Sequence, residues 1–207
     1  MSFPWLLLGV CLAVELVARV VLEVRERRRT GIRGGVFTVL RLIPLVNDIV
    51  PLPESRRDTA DSEFVQKHEE GHATMRHAVL RNLVKVAFLL LAVWAFAFLL
   101  SSMTLSVVEA VLWLHLAVIP FRMVFHLYCW YQEYDADRYA FEKVGKKKAK
   151  VAMRNLAESE IPYTKLFALV YREHPTAADR SYRILNKCFR EGGGLLLASS
   201  GRDRHPS

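Results

Sequence analysis

The sequence predicts a mainly α-helical integral membrane protein, with three transmembrane helices and a small helical cytoplasmic part. Three observations carry this. Of the 207 residues, 52% are hydrophobic, yet they gather in long, nearly charge-free stretches. Three of these stretches have the length that crossing a bilayer core needs. A formal net charge of +8 is concentrated in short runs beside them. Cys11, Cys129 and Cys188 are odd in number and widely spaced, which implies neither a disulfide framework nor a cysteine metal site.

The first stretch is FPWLLLGVCLAVELVARVVLEV, residues 3–24. No basic residues precede it, and Glu15 and Arg19 interrupt it, so a transmembrane helix fits better than a signal peptide. Glu15 and Arg19 are four apart and can pair on a helix, facing protein or water rather than lipid. The second and third stretches are residues 83–100 and 105–131, joined by SSMT, which allows only a tight hairpin. RERRRTGIR follows the first stretch, Arg76 and Arg81 precede the second, and Arg138, Lys143, Lys146, Lys147, Lys148 and Lys150 follow the third. The hairpin tip carries no charge, so the basic loops are expected on the cytoplasmic side. Topology and attraction to anionic lipid explain these clusters; with no aromatic-interleaved basic surface, nucleic acid is not an expected partner.

Residues 34–53 are apolar but broken by Arg41, Pro44, Asn47, Asp48 and Pro51, which predicts an interfacial or irregular segment. ESRRDTADS is a polar connector ending in an N-cap at Asp61 or Ser62. The next helix is expected to run on towards the second membrane stretch. Further helices are expected at 149–156 and 178–190, and Gly192, Gly193 and Gly194 open a flexible tail. The chain thus divides into residues 1–24 (transmembrane helix 1), 25–82 (cytoplasmic segment), 83–131 (transmembrane hairpin), 132–191 (second cytoplasmic part) and 192–207 (tail).

Residues 68–72 read HEEGH. A helix brings positions four apart onto one face, so His68 and His72 project side by side as two ligands of one metal require. Glu69 is rotated aside, within reach of a water on that metal. A charged patch on an ordinary helix is the alternative. A catalytic zinc site needs a third ligand. Glu133 in WYQEYDADRYA is the candidate, because the membrane hairpin returns the chain to the face it left. Asp137, one turn later, can accept a hydrogen bond from the outer nitrogen of a ligating histidine. Read alone, EYDAD is equally an ordinary start to a charged helix.

HEEGH, EYDADRYA and HPTAADR together resemble the family of the HtpX heat-shock protease and the CAAX prenyl endoprotease, membrane-bound gluzincins. The resemblance covers roughly residues 60–185 and includes the hairpin between the first two motifs. It implies a zincin-like helical catalytic domain, one Zn2+ held by His68, His72 and Glu133, Glu69 as general base, and Asp137 beside a ligand. It also implies that His174, helped by Arg180, donates to the developing oxyanion; without the resemblance, HPTAADR reads equally as a helix start. The family's N-A-[FY]-A-like edge strand has no counterpart in LIPLVNDIVPLPES. The implied activity is zinc metalloendopeptidase cleavage of membrane or membrane-proximal proteins. A proteolytically silent zinc scaffold or sensor is the alternative, against which the intact Glu69 argues. A metal-free helical membrane subunit is a third reading.

Finally, His115, Arg122, His126, Glu133 and Asp137 are spaced 7, 4, 7 and 4, which puts them within about 60° on one helix. Such a polar stripe must meet protein or water. The two forms this can take are a water-accessible cleft, or pairing with Glu15, Arg19 or backbone.

Overall fold

The computed structural model describes residues 3–31, 39–46, 52, 62–103 and 105–187. Among these there are helices and no strand. The predicted tail (192–207) and most of the interfacial segment lie outside the described residues.

Helix α1, Phe3–Thr30, covers the first predicted span and continues through the arginine run. Gly31, at φ +67°, ends it in the left-handed conformation that glycine adopts without cost. One face of α1 is buried: Leu8, Glu15, Arg19, Leu22, Glu23 and Glu26. Its polar members are all matched. Arg19 Nε donates to Glu15 Oε1 at 2.7 Å, and Arg19 Nη1 reaches the Tyr171 hydroxyl at 3.2 Å. Arg41 Nε donates to Glu23 at 2.8 Å, which anchors the described part of the interfacial segment. Glu26 accepts from the backbone N–H of Thr164 at 2.9 Å.

Helix α2, Glu63–Thr74, starts where Ser62 Oγ accepts from Val65 N–H, so Ser62 is the cap. Phe64, His68 and Gly71 are its buried positions, one stripe at helical spacing. The helix does not run on into the membrane stretch. It stops at Met75, Arg76 takes a left-handed φ of 55°, and α3 begins afresh as His77–Ser102. This break turns the chain so that His77 folds back onto α2, which an uninterrupted helix could not do.

Helix α4, Val107–Ser159, follows the short hairpin and opens with a reciprocal capping box between Ser106 and Glu109. Pro120 stays within it. Gly145, at φ 77° and ψ 168°, breaks it, so the helix expected at 149–156 is the part beyond this break. Helices α1, α3 and α4 are each long and apolar enough to cross a membrane.

Two short helices complete the polar end. One was not expected from the sequence: α5, Lys165–Tyr171, capped by Thr164. The other is α6, Ala177–Tyr182, capped by Thr176 and followed by a π-helical turn, Arg183–Lys187. Residues 188–190 of the longer helix expected there are outside the described set. The segment between α5 and α6 is held tightly. Arg172 pairs with Glu160 at 2.6 Å, Trp130 Nε1–H donates to the Arg172 carbonyl at 3.2 Å, and Ala177 N–H donates to Glu160 at 2.5 Å.

Protein meets the polar stripe of α4. His115 Nε2 lies 2.9 Å from Glu15 of α1, and His126 Nδ1 donates to the Leu169 carbonyl of α5 at 2.6 Å. Pairing with protein therefore satisfies the stripe at these two positions, and a cavity of 510 Å³ borders Arg122 and His126.

The crossing of α2 over α4 positions the site. At Gly71 the helices approach so closely that an added Cβ would stand 3.3 Å from Ala136 Cα and 3.2 Å from Tyr139 Cδ1. Phe64 packs beside this crossing on Ala140, Ala149 and Met153. Gly71→Leu is therefore expected to destabilise the fold by about 1–3 kcal/mol, the usual cost of overpacking. Thermal unfolding in detergent reads this; an unchanged midpoint would contradict the close crossing.

Candidate metal centre

The α2 crossing brings the HEEGH face over the part of α4 that carries Glu133. His68 Nε2 and His72 Nε2 are 3.1 Å apart. Glu133 Oε2 is 3.3 Å from His68 Nε2, and Glu133 Oε1 is 3.3 Å from His72 Nε2. A tetrahedral zinc with bonds of roughly 2.0–2.1 Å spaces its ligand atoms about 3.3 Å apart. The three groups thus already stand at ligand spacing. Two ring nitrogens facing one another across a carboxylate that is 1% exposed form a donor set suited to a divalent cation.

Each ligand has an outer contact. His68 Nδ1 is 2.9 Å from Asp137 Oδ1, a wholly buried carboxylate. Burial pulls the His68 pKa down, but the carboxylates of Asp137 and Glu133 outweigh it and leave it raised. Arg180 grips Asp137 with both edges of its guanidinium, Nε at 2.9 Å and Nη2 at 2.6 Å. Burial opposes the charge on Arg180, yet Asp137 holds its pKa above the ordinary value. His72 Nδ1 is 2.8 Å from His77 Nδ1. Glu133 Oε1 accepts from Arg81 Nη2 at 2.7 Å, and Arg81 Nε donates to Gln132 Oε1 at 2.6 Å.

Beside the ligands lies a cleft of 590 Å³, bordered by His68, Glu69, Glu133, His174 and Arg180. Glu69 is exposed in it. His174 Nδ1 stands 3.3 Å from Glu133 Oε2 with its side chain 43% exposed. All seven residues singled out from the sequence therefore meet at one place. Arg180 differs from expectation in what it touches: its guanidinium is engaged with Asp137, behind His68.

Sequence reasoning did not single out His77, Arg81 or Gln132 for this site. His77 and Arg81 are four apart on the first turns of α3, and Gln132 directly precedes Glu133. The spacing of His77 and Arg81 was legible. The break at Arg76 that aims them at α2 and α4 was not.

Fold and site together define a helical chain with three helices long and apolar enough to cross a membrane, and an H-E-x-x-H pair joined by a carboxylate from a second helix in a cluster that could hold a metal ion. The model of peptidase family M48 matches residues 30–187, and the chain belongs to that family of zinc metallopeptidases. No curated protein and no solved structure matches the chain.

The His72–His77 contact carries a prediction. Histidine ligands depend on a partner at the other ring nitrogen for orientation. His77→Phe is expected to weaken Zn2+ binding by about tenfold with little loss of fold. Competition with a chromophoric chelator measures this.

Proposed function

We propose that this protein is a membrane-embedded zinc endopeptidase that cuts peptide bonds at the cytoplasmic face of the membrane. The observation that carries the reading is the convergence of His68, His72 and Glu133 to within 4.8 Å of one another, with Glu69 exposed in the adjoining cleft. His68, His72 and Glu133 would hold a single Zn2+. When bound, the ion supplies Lewis acidity, which brings the pKa of water at the open position towards neutrality.

Glu69 accepts a proton from the attacking water and returns it to the amine as the C–N bond breaks. His174 donates a hydrogen bond to the oxygen that gains charge on the carbonyl carbon. Arg180 enters this reading as a positioning residue: it fixes Asp137, which fixes His68. The substrates in this reading are membrane proteins or segments close to the membrane. Two features support that: Glu133, which borders the cleft, follows closely on the apolar stretch 105–131 of α4, and Arg81, which contacts Glu133, closely precedes the apolar stretch 83–100 of α3. The cytoplasmic assignment rests on the basic runs at 25–33 and 138–150 and on the uncharged hairpin tip.

The test is proteolysis of casein by the protein purified in detergent, run with and without chelator and with Glu69→Gln. The wild type is expected to cleave, to stop with chelator and to recover with added Zn2+. Glu69→Gln is expected to lose at least about 100-fold in rate while keeping its zinc. Equal cleavage by both proteins would refute the assignment, and zinc binding without cleavage by either would leave a silent zinc scaffold.

A further inference from the structure

Each metal-binding side chain has an outer contact, but the three contacts do different work. Asp137 and His77 act on imidazoles, where the question is which nitrogen faces inward. Arg81 acts on a carboxylate, which has a choice that an imidazole lacks: it can offer one oxygen or both.

The geometry around Glu133 is balanced in this respect. Oε2 is 3.3 Å from His68 Nε2, and Oε1 is 3.3 Å from His72 Nε2. The rings of His68 and His72 do not distinguish the two oxygens, and Oε2 has one further contact, the half-exposed His174 Nδ1 at 3.3 Å. What sets Oε1 apart is the shorter, charged contact of Arg81. Its Nη2 donates to Oε1 at 2.7 Å, while its Nε donates to Gln132 Oε1 at 2.6 Å. The guanidinium is therefore pinned at two points on adjacent residues of α4. Gln132 and Glu133 are 3% and 1% exposed, so water has little access to replace these bonds.

We propose that Arg81 is a positioning residue that reserves Oε1 of Glu133, so that the carboxylate presents a single oxygen to the metal ion and one coordination position stays open. The inference rests on the reading of the site as a metal centre. A carboxylate binding through both oxygens would add a ligand and fill the place a catalytic zinc keeps free. The planar fork of arginine suits the task, because it spans two acceptors at fixed geometry. Lysine, a point donor on a flexible stem, does not reproduce it.

The probe is Co2+ in place of Zn2+ in the detergent-purified full chain, read by its visible absorption, together with Zn2+ affinity by chelator competition. The unaltered protein is expected to give the intense absorption of a four-coordinate ion. Arg81→Gln is expected to give a weaker spectrum typical of higher coordination and about tenfold weaker Zn2+ binding. Arg81→Lys keeps the cation and is expected to recover affinity in part without recovering the spectrum. It also decides the matter if Arg81→Gln does not fold. A folded Arg81→Gln or Arg81→Lys protein with the unaltered spectrum and zinc affinity within about twofold of the parent would overturn the proposal. So would an unaltered protein that takes up neither ion. Because the readout is metal geometry, absence of proteolysis in the unaltered protein would count against the peptidase reading alone.

Discussion

A carboxylate at 1% exposure is the constraint on which the rest of this structure depends. Burying the charge of Glu133 is costly unless it is matched by opposite charge and hydrogen bonds. Three imidazoles and one guanidinium supply that match: His68, His72, His174 and Arg81. They come from α2, from α3 and from the segment between α5 and α6. Satisfying one side chain of α4 thus requires three other parts of the chain to arrive at it, and that requirement shapes the polar end. Gly71 is what lets α2 come close enough, since any side chain there would press on Ala136 and Tyr139.

The segment carrying His174 is built on the same logic. Arg172 is buried against Glu160, whose other oxygen takes the Ala177 N–H, and Trp130 holds the Arg172 carbonyl. Lys85 reaches the neighbouring Glu173 at 3.1 Å from α3. The ring of His174 is left half-exposed above Glu133 while the backbone on both sides of it is tied down. A mobile loop would spend binding energy on ordering at each turnover; a fixed one does not.

Much of this was legible in the sequence, and the limits have physical reasons. Hydropathy located all three long helices, because their apolar stretches exceed what a small chain can bury in its own core. The i, i+4 spacing of His68 and His72, and of Glu133 and Asp137, fixed which side chains share a face. The short connection in the hairpin made the two motifs neighbours. What escaped was set by single backbone residues. The left-handed Arg76 ends α2 before the membrane stretch, and nothing in its side chain announces that conformation, which glycine or asparagine adopts more readily. Helix α5 has seven residues, too few for periodicity to mark it. Arg81 carries its charge near a predicted membrane boundary, and charge alone does not say which buried acceptor a guanidinium will meet.

The position of α3 joins an apolar, membrane-length helix to the polar cluster. None of the apolar window of this helix is buried among the described residues, and its length and composition suit it to crossing a membrane. Its first turns nevertheless carry His77 on His72, Arg81 on Glu133 and Lys85 on Glu173. The same helix thus carries an apolar length that suits a bilayer and, at its end, the polar contacts that reach the cluster. Two of the three clustered side chains, His72 and Glu133, therefore have an outer contact from a helix long and apolar enough to cross a membrane. A soluble scaffold would fix the same residues by core packing. Here polar contacts from the first turns of α3 take that part, while the rest of the helix is apolar and left bare by the described residues.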